Sequence, residues 1–249
     1  MRLKWKIYHP LQAVVKVLID SRYRAYWRYY GFVSEILKYN RDFLFRFKRS
    51  LLDEIVEFQN DAIDHYMGMI KTFENSPFKD NYFSHFCLPN YVANILLPVS
   101  YSLYPALLTA YLPHCYDSLR LCVEALGVMY LAEDLSYNWW FERKLRRLRK
   151  ITWGKTTSEI ISKVDPKLGR LFNKFSDWLH TVNYLKKTAD YVFESHELPP
   201  RSLGSPMPYK ETDLKELEQL ENDINVVREL ISIILRRWYN KIGLQPSIF

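Results

Sequence analysis

Seven cations crowd into thirteen residues: Arg143, Lys144, Arg146, Arg147, Arg149, Lys150 and Lys155, with no acid among them. Trp139, Trp140 and Phe141 precede or open the run, and Trp153 lies inside it. Cations at that density can neutralise successive phosphates, and an aromatic ring among them can stack on an unpaired base. RNA or another nucleic acid is therefore the expected partner, with the seven cations and Trp153 as its contact residues. The same pattern suits an anionic membrane surface. It also suits a solvated helix face that Leu145, Leu148 and the tryptophans anchor to a core.

A second cluster is acidic. Glu57, Asp61 and either Asp64 or His65 share a helix face, with Glu54 one turn earlier, because spacings of three and four bring side chains together. A carboxylate-bridged metal centre would use such a face, but it also needs Glu-x-x-His pairs from other helices. Glu194 and His196 are two apart instead of three. Solvent-facing charge is the expected role, and neither a metal nor a cofactor is expected. Cys87, Cys115 and Cys122 lie in apolar surroundings, where a buried, inert thiol is usual. Cys115 and Cys122, seven apart on a helix, would hold their Cα atoms ~10 Å apart, beyond disulfide reach. With no disulfide framework and no long apolar run behind the basic Met1–Ile7 stretch, a reducing cytoplasmic location is expected. Among the six histidines, His180 has Asp177 three residues before it, close enough to orient or charge the imidazole.

Helices must position these groups. Residues 11–38 read as helical, and 41–74 as one long helix with Leu44, Phe47, Leu51, Ile55 and Phe58 turned inward, widened by Phe45 and Leu52. From Phe86 to Tyr116 there is no Asp, Glu, Lys or Arg, a length that could span a bilayer. Pro89, Pro98, Pro105 and Pro113 break the regular bonding that a spanning helix needs, so buried connections and short helices are expected, with peripheral membrane contact as the alternative. A helical pattern begins near Asp117, and Gly127 offers a place for another helix to approach closely.

Thr156 with Glu159 forms a candidate capping box, and Asp165-Pro166 places a cap residue before a proline at the first helical position. Leu168, Leu171, Phe172, Phe175, Trp178 and Leu179 then point inward. Residues 197–210 are a Pro/Ser-rich loop. Asp213 and Glu216 signal one more helix start. Leu217, Leu220, Ile224, Val227, Ile231, Ile234 and Trp238 follow as a seam of alternating three- and four-residue steps. Packing within the bundle is its expected use, and a homodimer through the same seam is the alternative.

The whole chain agrees with this. Its 249 residues can bury a core without staples, and 48 % hydrophobic content excludes general disorder. Seven glycines argue against glycine-rich phosphate loops. The net charge of +7 equals the cation run in size, leaving the rest near balance. The expected fold is all-α: one domain over 1–249, an antiparallel helical bundle with a long C-terminal helix.

Two segments carry a resemblance. Ser118-Leu119-Arg120-Leu121-Cys122-Val123-Glu124-Ala125-Leu126 and Phe175-Ser176-Asp177-Trp178-Leu179-His180 together resemble a pattern in all-helical proteins of the broad HEPN-like group, in members linked to defence or abortive infection. The similarity covers residues ~115–190. It implies a helical bundle, often dimeric, that sometimes binds or cleaves RNA. In the ribonuclease members an Arg precedes a His by four to six positions, and no Arg here stands so before a His. By this resemblance Arg120 would hold a scissile phosphate, His180 would trade protons and Glu124 would orient one of them, in a metal-independent nuclease. The bland alternative is a network of these three side chains joining two helices. The main expectation is a nucleic-acid-binding or interaction protein; a ribonuclease and an oligomeric scaffold are the alternatives.

Overall fold

Apolar residues spaced by three and four recur through almost every segment of the computed structural model, which describes residues 30–74, 76–135, 139–179 and 208–244. Among these residues the structure is all-α. Helix α1 occupies residues 30–47. It is followed by α2 (Arg49–Glu74), the short α3 (Tyr82–His85) and α4 (Cys87–Tyr91), a π-turn (Val92–Leu96) and α5 (Leu97–Leu108). Next come α6 (Leu112–Ala132), α7 (Phe141–Ile151), α8 (Thr157–Ile161) and α9 (Pro166–Leu179). A 3₁₀ turn (Glu211–Asp213) leads into the long α10 (Leu214–Ile242).

The expected single helix over 41–74 is interrupted at Lys48. The backbone stays joined there, since Lys48 N–H donates to Leu44 O (2.8 Å) and Leu52 N–H to Lys48 O (3.4 Å). Leu44, Leu51, Ile55 and Phe58 are buried as expected, but Phe45 and Phe47 are 54 % and 40 % exposed. The break ends the α2 stripe before those two rings. Residues 11–29 of the expected 11–38 helix and 197–207 of the expected 197–210 loop lie outside the described residues.

Prolines act differently from expectation between Cys87 and Leu108. The chain stays helical throughout, and the π-turn lies just before Pro98. A proline clashes with the carbonyl four residues back and cannot donate to it. For Pro98 that carbonyl belongs to Asn94, inside the π-turn, where the wider winding makes room. This stretch is long and apolar enough to cross a bilayer by length and composition alone. One side of it is packed into the bundle through Leu88, Tyr91, Val92, Leu96, Val99, Leu103 and Leu107, while Tyr101 is exposed. Helix α6 begins at Leu112, five residues before the expected start, because Pro113 sits in its first turn, where its missing N–H costs nothing.

Cross-contacts give the helix directions. Asn40 donates to Leu108 O and Gln59 to Ser100 O, so the α1–α2 rod and α5 run antiparallel. Arg120 lies over Phe172 and Tyr116 stacks on Trp178, so α6 and α9 do too. Lys174 pairs with Asp223 and Arg237 with Asp165, which sets α9 antiparallel to α10. Helices α2 and α10 run the same way: Lys48 meets Glu221, Asp61 meets Arg228 and His65 meets Ser232. Two helices packed in parallel need a long connection between them, and the helices between α2 and α10 supply it.

All seven seam residues of α10 are buried at 2 % exposure or less inside this one chain. That seam is thus filled from within, which leaves it nothing apolar to offer a second copy. The capping box at Thr156 and Glu159 forms as expected. Asp165 Oδ1 accepts from Lys167 N–H (3.0 Å) at the start of α9. Asp213 does not cap α10; its Oδ2 accepts from Lys210 N–H (2.9 Å) across the 3₁₀ turn. Just before that turn Tyr209 is buried, its OH donating to Leu107 O (2.7 Å) and its N–H to Asn40 Oδ1 (2.8 Å). The loop expected over 197–210 is therefore pinned at its end. Gly127 does meet another helix: a Cβ there would stand 2.6 Å from Ile161 Cβ.

Candidate functional site

Helix α7 is amphipathic in the strict sense. Phe141, Leu145 and Leu148 pack against Val128, Met129, Leu131, Ala132 and Leu135 at the end of α6 and beyond it, together with Cys87. The opposite face presents Arg143, Arg146, Arg147, Arg149 and Lys150 to solvent, and Lys155 is exposed in the turn that follows. Arg143 lies over the Trp139 ring at 4.5 Å, and Arg146 reaches Glu142 at 3.8 Å, both of that pair well exposed.

Lys144 corrects the sequence reading. It is 1 % exposed, and its ammonium donates to Glu133 Oε2 at 3.0 Å, over the Phe86 ring. It belongs to the core, because position 144 falls on the same helix face as Phe141, Leu145 and Leu148. Glu133 also accepts from the N–H groups of Cys87 (2.6 Å) and Leu88 (3.0 Å), the first two residues of α4. Burial pushes the Glu133 carboxyl above the usual carboxylate range, against the pull of Lys144 and the backbone donors. One carboxylate thus ties α4, α6 and α7 together.

Large apolar groups stand at both ends of the cation face. Trp140 is 64 % exposed before α7, and Ile151 and Trp153 are 54 % and 81 % exposed at its other end. The turn carrying Trp153 is built from local bonds. Thr152 donates from both N–H (2.9 Å) and Oγ1 (2.8 Å) to Leu148 O, and Lys155 N–H donates to Thr152 O (3.0 Å). Gly154 takes φ +81°, a left-handed conformation that suits glycine. Beyond α8, Lys163 sits beside Lys155, and the neighbouring cation lowers its pKa. Sequence reasoning missed Lys163 because it lies outside the run, beyond α8.

Of the residues suggested by the HEPN-like resemblance, Arg120 and Glu124 both lie on α6. Arg120 pairs with Asp117 (3.3 Å) and lies over Phe172 (5.7 Å), so among the described residues its ion-pair partner is Asp117 rather than Glu124. Glu124 is half-buried on α6. His180 lies outside the described residues.

The acidic cluster on α2 is not simply solvent-facing. Arg228 of α10 bonds to Asp61 (2.8 Å) and to Glu54, and approaches Glu57 at 3.9 Å. Burial works against the Arg228 charge, but the bonds to Asp61 and Glu54 more than offset it and hold its pKa above the ordinary value. One turn on, buried His65 faces Ser232 Oγ at 3.3 Å. Burial lowers its pKa below 6.5, opposed by Asp61 and Asp64. Among the described residues no group of His, Cys, Asp or Glu is arranged to hold a metal ion. The three thiols are buried and free, and burial pushes each up to about 12, far from the thiolate a nucleophile needs.

No protein-family model matches this chain, and no curated protein or solved structure matches it either.

Proposed function

We propose that the outer face of α7 and the turn after it bind nucleic acid through its phosphates. One observation carries this reading. Six of the seven cations in the run are exposed on and just after a helix whose apolar side is already used by the protein body. A ridge of that kind attracts any polyphosphate and releases its counterions on binding. The membrane alternative is weaker on the same ground. An interfacial helix inserts its apolar face into lipid, and here Phe141, Leu145 and Leu148 are packed against α6.

The test is retardation of labelled single-stranded RNA over a salt series. Six engaged cations would give log affinity against log salt a slope of about −4. Joint substitution of Arg146→Glu, Arg147→Glu and Lys150→Glu should flatten that slope and weaken binding at least about tenfold, with the circular dichroism spectrum unchanged. Undiminished binding by this triple variant would overturn the reading.

A further inference from the structure

We infer that the ligand of this face is a single strand rather than a duplex, and that Trp153 is the platform on which one of its bases stacks. The inference rests on the nucleic-acid reading above and adds to it. Tryptophan gains more from burial than any other side chain, yet this one is 81 % exposed. It is not on a loose end. The Thr152 bonds, the left-handed Gly154 and the capping box of α8, in which Thr156 N–H donates to Glu159 Oε2 at 2.8 Å, fix the turn on both sides of the ring. A large flat surface is thus held out to solvent at a defined place.

The charges around it fit a strand passing over that surface. Lys150 precedes the ring on α7, and Lys155 follows it with Lys163 alongside. Exposed ammonium groups on either side of the ring can each form a charge-assisted bond to a phosphate of a strand that crosses it. Cations alone would serve a duplex equally well, since its backbone carries the same charge. The ring decides between them: in a duplex each base has both faces covered by its neighbours, whereas an unpaired base can stack on an aromatic side chain.

The test compares wild type, Trp153→Ala and Trp153→Phe in the full chain, titrated with oligouridylate and with an RNA duplex of equal length. Because the ring is exposed, neither substitution threatens the fold. Trp153→Ala should weaken oligouridylate binding about tenfold or more, leave duplex binding and the salt slope unchanged, and remove part of the tryptophan quenching. Trp153→Phe should restore most of the loss. If wild type holds both forms equally and Trp153→Ala changes neither, the single-strand inference falls while the phosphate-binding reading stands. An equal loss on both forms would also overturn it. If wild type binds neither RNA but binds phosphatidylserine-containing vesicles, with Trp153 fluorescence shifted to the blue, both proposals fall.

Discussion

Lys144 and Arg147 come from one run of cations and do opposite work. Arg147 is solvated on the outer face, and Arg147→Ala should leave stability within about 0.5 kcal/mol of wild type. Lys144→Ala strands the buried Glu133 carboxylate without its counter-charge, and should cost about 3–5 kcal/mol in urea unfolding. Pairing Lys144→Met with Glu133→Gln should recover most of that loss, since a glutamine oxygen still accepts from Cys87 and Leu88. The difference between the two cations was legible: 144 stands three after Phe141 and four before Leu148. The partner was not legible, because Glu133 reaches Lys144 across a turn that no periodicity describes.

His65 gives a second contrast. Its folded pKa is lowered below 6.5, so the unfolded chain binds the proton more readily. Stability from keeping this imidazole neutral is present above pH 6.5 and is lost as pH falls through its folded value. Wild type should therefore lose more stability between pH 7 and 5 than His65→Gln, read as denaturation midpoints at each pH.

At the scale of elements, the α6–α8–α9 junction is set by small residues and caps. A methyl group at Gly127 would collide with Ile161, so Gly127→Ala should destabilise by about 1–3 kcal/mol through overpacking. Thr156→Ala removes the cap of α8 and should cost about 1 kcal/mol. Thermal melts of both variants check these values. The glycine contact and both caps were visible in the sequence because they depend on residue type at one position. The π-turn before Pro98 and the interruption at Lys48 were hidden, since each is a compromise between a local chain and the surface it packs on. Four prolines suggested a broken segment, yet from Cys87 to Leu108 the chain stays helical, with a widened turn ahead of Pro98, and Pro113 opens a new helix after the break at 109–111.

The molecule as a whole is closed by the pairing of α2 with α10. Arg228 sits between Glu54 and Asp61 with 18 % of its side chain exposed, so Arg228→Ala should cost about 2 kcal/mol, intermediate between surface and buried pairs. The loss should shrink at high salt, measured by urea unfolding with and without added sodium chloride. The α10 seam was fully legible as an apolar face, but the function of the acidic cluster opposite it was not. Nothing in the local pattern around Asp61 points to a residue 167 positions away. That separation also bears on how the chain is made. Translation at about 5–20 residues per second puts roughly ten to thirty seconds between the emergence of Asp61 and that of Arg228. Through that interval α5, which packs on one side of α2, has been synthesised and α10, which packs on another, has not. A nascent chain in that state has Glu54 and Asp61 without their Arg228 partner. The α10 side of α2 is thus covered only once α10 has emerged, a direct consequence of two helices far apart in the chain lying side by side.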